Sequence, residues 1–179
     1  MIEYEDVLNV QFEFLQYLVD SIGYGLKTLK ELFSPVFDTV IAPFFGPLLS
    51  SSGTIDPKAR FGAICLFDDC VEHCGSAAAL KHGPSLAKAV LEGIQDSDLE
   101  VQEASVYGIA MLARYTNKAT LQNVANQLIQ FLMAIAVEGC QKHKEDIENI
   151  RLVENSASAL ATMTLFKNSP FAGDNFPRE

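Results

Sequence analysis

The stretch Asp98–Tyr115, DLEVQEASVYGIAMLARY, decides the fold. Asp98 stands where a carboxylate can accept from the free N–H groups of a helix's first turn. Behind it Val101, Ser105, Gly108, Leu112 and Tyr115 recur at helical spacing, with Glu100 and Glu103 on a wetter face. Ala104 and Gly108 are small enough for a neighbouring helix to come close. So thin an apolar stripe requires partners on more than one side, and the flanking chain supplies helices on both.

The chain has 179 residues, 49% hydrophobic and 20% charged, enough for one core and too few to promise two. Alternating Val-, Thr- and Tyr-rich runs are scarce and Trp is absent, which argues against an all-β protein. The formal charge of −10 disfavours nucleic-acid binding, because phosphates would be repelled. It is compatible with a basic partner and equally with ordinary solubility. By thirds, residues 1–56, 57–116 and 117–179 carry −6, −3 and −1, so the acidic field is strongest at the N-terminal end. Cys65, Cys70, Cys74 and Cys140 form no CxxC pair and read as reduced thiols of a cytosolic or nuclear protein. Glu3, Glu5 and Asp6 stand where a secretory leader would be basic and apolar. The most apolar window, Leu32–Leu49, contains Asp38, Pro35, Pro43, Gly46 and Pro47, so a kinked helix is expected there and no membrane insertion.

Seven helices and no strand are expected. Residues 5–33 carry Leu8, Phe12, Leu15, Leu18, Val19, Ile22, Leu26 and Leu29 at helical spacing, with Gly23 and Gly25 as weak points for a bend. Ser34-Pro35 opens a second helix to about Leu49, kinked near Pro43, and Ser50–Gly53 is a loop. Asp56-Pro57 opens a third, ended by Gly75. Residues 76–83 are expected to connect to a fourth beginning at Gly83-Pro84-Ser85, and Asp98 caps the fifth. The sixth spans 118–138 along Leu121, Val124, Leu128, Leu132 and Ile135. The charged run Lys142–Asp146 leads into a seventh that ends near Phe166, and 167–179 is a tail.

Aligning the later helix of each pair makes Phe67, Ile109 and Leu160 equivalent, at spacings of 42 and 51 residues. Periods of about 40–47 belong to HEAT and armadillo hairpins, which complete their cores only against their neighbours. The expected architecture is therefore an all-α solenoid of HEAT-type antiparallel pairs, about three complete and one helix before them. The units are 5–33 as the second helix of an incomplete repeat, then repeats 34–75, 84–116 and 118–166. A compact helical bundle is the alternative.

Three strings carry a closer resemblance. Ile64–Gly75, ICLFDDCVEHCG, resembles the IFDD-x-x-EHC segment of importin-5-like β-karyopherins, the importin-β family. Glu100–Ile109 resembles that family's PEVRQAAAYGLG, and Glu148-Asn149 with Glu154-Asn155 and Ser158-Ala159 resembles ENVNATENCISA. The matches fall in order on the three later helices and cover most of 55–166. Gln102 departs from the pattern, standing where HEAT repeats usually place the Arg of an Asp–Arg ladder. The resemblance is to a stretch in the C-terminal third of long receptors, so the chain is expected to be a segment of one. It implies a nuclear transport receptor that carries protein cargo, import being the expected direction, between cytoplasm and nucleus under the GTPase Ran. The repeats that grip Ran in such receptors have no counterpart here.

In that family the second helix of each repeat generally lines the concave, cargo-facing surface. The resemblance thus makes Asp68, Asp69, Glu72, Glu100, Glu103, Glu154 and Asn155 candidates for contacting basic cargo. Carboxylates suit this task through charge-assisted hydrogen bonds with Lys and Arg. The alternative is solvated faces or internal pairs with Lys58, Arg60 and Arg151. Phe37, Phe44, Phe45, Leu121 and Leu128 are candidates for receiving Phe-Gly repeats of pore proteins, or else ordinary core. Cys70, His73 and Cys74 share a helix face but lack a fourth metal ligand nearby. No phosphate loop, HExxH or nucleophile–base set stands out, so neither catalysis nor a cofactor is expected. A HEAT scaffold organising an enzyme complex is the rival function. The opening helix lacks its partner, so self-association through that end is expected.

Overall fold

The computed structural model describes the backbone of residues 4–50, 55–142 and 147–165, and side chains within 10–50, 55–137 and 150–165. The described residues are all-helical, with no strand. The expectations for Ser51–Gly53, for His143–Asp146, for Phe166 and the tail 167–179, and for the side chains of Leu8, Cys140, Glu148 and Asn149, lie outside them.

The helices are α1 (Tyr4–Leu29), α2 (Ser34–Val36), α3 (Ala42–Phe45), α4 (Pro57–His73), α5 (Gly75–Gly93), α6 (Leu99–Tyr115), α7 (Lys118–Gln122), α8 (Ala125–Lys142) and α9 (Ile147–Leu165). At their centre is α6, which packs against α4, α5 and α9. Val101, Val106, Ile109 and Leu112 are fully buried, so the helix is apolar around most of its circumference. Each such side chain contributes about 1.5–3 kcal/mol. Asp98 caps it as expected, accepting from Glu100 N at 3.0 Å and Val101 N at 3.2 Å. Asp56 caps α4 likewise through Lys58 N at 2.8 Å.

Two rows emerge. In one, α1 packs on α4, α4 on α6, and α6 on α9. Lys58 meets Glu100 near the starts of α4 and α6, and Glu72 meets Tyr107 farther along, so these two helices run parallel. The second row contains the helical run 34–49, α5 and α7, with α8 backing α9. Phe37, Ile41, Phe45 and Leu49 are the buried stripe of that run. The segment Val10–Leu49 is long and apolar enough by composition to cross a membrane. It is not one helix, because Lys30 takes a positive φ of 52° at the end of α1. Beyond α2, a π-helical turn over Phe37–Ile41 precedes Pro43 in α3. The change of hydrogen-bond register accommodates the proline, which has no N–H to donate.

Three expectations are corrected. Residues 76–83 are not a connector: α5 begins at Gly75 and continues through Pro84. Ser-Ala-Ala-Ala-Leu-Lys is strong helix-forming sequence, and Gly83 lacks the Cβ that would oppose the proline ring. Only Cys74 lies between α4 and α5, and Gly75, at φ +82°, turns the chain there; a side chain on it would also strike Glu31. The sixth helix is two, α7 and α8, joined at Asn123 and Val124, where Val124 N bonds Leu121 O. Gly23 and Gly25 lie within the continuous α1 and admit Asp69 and the Phe33 ring respectively. Leu18 and Leu29 of the expected inward stripe are exposed, and Phe14, Tyr17 and Tyr24 also stand outward.

Candidate functional site

A groove of about 470 Å³ runs across the row α1, α4, α6 and α9. Its position follows from small residues. Gly62 of α4 lies where a Cβ would be 2.9 Å from Val19, so α1 and α4 approach closely. A Cβ at Gly108 would lie 2.8 Å from Val90 and 2.5 Å from Asp68 Oδ1. The two carboxylates of α4 therefore have glycines opposite them, Asp68 against α6 and Asp69 against Gly23 of α1.

The groove brings together Asp68, Asp69, Glu103 and Asn155 of the seven candidates. Asp68 is the unexpected one. It is 2% exposed, and its Oδ1 has no hydrogen-bond partner. Burial first, then the like charges of Asp69 and Glu72, hold its carboxyl well above the usual range. Asp68 is thus the floor of the groove. Asp69 lies 3.5 Å from Lys27 and 3.8 Å from His73. Burial raises its carboxyl, against the opposing pull of those two groups.

The remaining candidates lie around this floor. Glu72 accepts from Tyr107 Oη at 2.9 Å. Burial, and then that bond to a carboxylate, raises the Tyr107 hydroxyl's pKa. Glu100 pairs with Lys58 at 3.2 Å, both half-exposed, which is the internal pairing named as the alternative. Glu103 also borders a second hollow with Glu100 and Arg151. Glu154 is exposed on α9 outside both. Lys27 and Tyr107 also line the groove and are not among the candidates read from sequence, although Tyr107 lies within the second family-like string.

At the other end of the α4–α6 packing, Arg60 forms a buried ion pair with Asp96, while Gln102 donates to the Asp96 carbonyl. Asp96 Oδ1 also accepts from Asp98 N at 2.9 Å. On the second row, Asp38 pairs with Lys81 at 2.7 Å and meets buried His82 at 2.6 Å. The bond from Lys81, ahead of that from His82, lowers its carboxyl.

Of the five apolar candidates, Phe37, Phe45, Leu121 and Leu128 are core and Phe44 is exposed. Cys70 and Cys74 are buried free thiols. His73 faces Asp69 and Glu72, whose ligand atoms and its own lie within 4.8 Å of one another. All three project from one turn of α4, and Lys27 and Tyr107 already engage the two carboxylates. No model of a known protein family matches the sequence.

Proposed function

We propose that this chain is a HEAT-type solenoid segment of an importin-5-like nuclear transport receptor, and that its acidic groove binds a basic segment of protein cargo. The observation that carries this reading is the convergence of Asp68, Asp69, Glu103 and Asn155, from three successive helices of one row, on a single groove. A row in which each helix packs on the next is what stacked hairpins produce. The Arg60–Asp96 pair supports it further, because it links successive helix pairs as an Asp–Arg ladder rung does.

The mechanism is binding, with no catalytic step. Carboxylates in a partly desolvated groove attract Lys and Arg more strongly than they would in bulk water, and salt weakens that attraction. Phe44 is the accessible candidate for a Phe-Gly contact. Control by Ran, and movement between cytoplasm and nucleus, belong to the receptor as a whole. The exposed Phe14, Tyr17 and Tyr24 of α1 are the face for self-association, and sedimentation showing monomer at every concentration removes that element.

The test is fluorescence anisotropy with a lysine-rich nuclear-localisation peptide at low and near-physiological salt. Saturable binding that weakens with salt is expected. Absence of binding at low salt, or indifference to salt, overturns the cargo reading. A second arm adds the chain to permeabilised cells with fluorescent peptide cargo. Peptide binding without association at the nuclear envelope favours a HEAT scaffold over a transport receptor.

A further inference from the structure

We infer that the groove floor is a slot for one lysine side chain, whose ammonium pairs with Asp68 while its alkyl stem lies along the groove wall. The inference rests on the reading of a basic protein partner and deepens it from general charge attraction to one ammonium at a named carboxylate.

Asp68 is the starting point because the described residues offer its Oδ1 no counter-group. Arg60 is taken by Asp96 two turns earlier, and Lys27 sits at the rim over Asp69. A buried carboxyl without a partner destabilises the fold, so a cation from outside would satisfy an unmet demand. The walls suit the rest of the side chain. Val19, Phe61 and Ala104 line the groove and give a four-carbon stem apolar surface.

Lysine fits better than arginine. A guanidinium is bound best by two coplanar carboxylate oxygens, whereas an ammonium is a compact point charge satisfied by one. Oδ1 of Asp68 lies against Gly108 and is covered from solvent, so both oxygens are not presented together. The final torsion of an aspartate is soft, and a turn about it brings one oxygen to an entering ammonium.

The experiment follows the amide signals of Gly23 and Gly108 by NMR while Nα-acetyl-lysine N-methylamide is added to the whole chain. Its Nε-acetyl form and the arginine counterpart serve as comparison probes. Saturable shifts are expected for the lysine probe, with affinity lower by about tenfold for the Nε-acetyl form and in Asp68→Asn. The arginine probe is expected to bind more weakly than lysine. Lys88→Gln, exposed on α5 away from the groove, should change nothing. Equal response to the lysine and Nε-acetyl probes in the native chain overturns the slot, whether or not Asp68→Asn folds. Native-like binding of the lysine-rich peptide by folded Asp68→Asn overturns it too, while leaving the basic-partner reading intact. The converse result, a lysine-probe response without peptide binding, overturns that reading and keeps the slot.

Discussion

Asp68, buried on α4, and Asp96, partly buried in the loop before α6, are acids placed where α4 meets α6, yet their surroundings are opposite. Asp96 has Arg60 across the interface and the Asp98 N–H beside it. Asp68 has a glycine across the interface and an oxygen with no partner. The first arrangement locks two helix pairs together. The second leaves electrostatic demand inside a groove open to other molecules. Desolvation is common to both; what differs is whether the chain itself supplies the cation.

The largest expected effect comes from breaking the satisfied member. Arg60→Met removes the counter-charge of Asp96, leaving it only the Asp98 N–H, and should lower unfolding stability by about 3–5 kcal/mol in urea denaturation. Adding Asp96→Asn should recover part of that loss, and a strictly additive double mutant would deny the coupling. Next is Gly108→Ala, whose methyl would occupy space used by Asp68 Oδ1 and Val90. Overpacking should cost about 1–3 kcal/mol, less in an Asp68→Ala background if the carboxylate is what is struck.

Asp68→Asn should act in the reverse direction, stabilising by about 1–2 kcal/mol at neutral and alkaline pH. The sign follows from the raised carboxyl. The stability associated with protonated Asp68 is fully present below the unfolded value and is lost as pH rises through the folded one. The advantage of Asn over Asp should therefore grow with pH and vanish near pH 4, about the unfolded carboxyl value. Thermal melts at several pH values read this directly, and an advantage that shrinks as pH rises contradicts it. The smallest effect belongs to Lys58→Ala. Its pair with Glu100 is half-exposed on both sides, so the change should stay within about 0.5 kcal/mol and fade with salt.

Much of the backbone was legible because its signals are local. Asp56 and Asp98 before apolar periodic runs, and Gly75 after one, mark ends set by a few neighbouring groups. The failures were local rules overruled by neighbours. Pro84 reads as a helix start, but α5 runs through it, and Gly83 removes the Cβ part of the clash that disfavours this. Leu18 and Leu29 belong to an apolar period, yet no described helix covers them. Asp68 and Asp69, adjacent in sequence, look equivalent on paper. Around the helix axis they diverge, one toward Gly108 and the other toward Lys27 and Gly23.

By itself the sequence determined the helical class, the capped starts of α4 and α6, and a set of acids clustered on particular helices. Those properties depend on hydrogen bonds and side-chain periodicity within a turn or two. Only the tertiary structure decided which acid is paired, which is buried alone, and which of them share a groove. Those outcomes depend on what the facing helix places opposite each carboxylate, and that helix lies some 35 to 45 residues away along the chain.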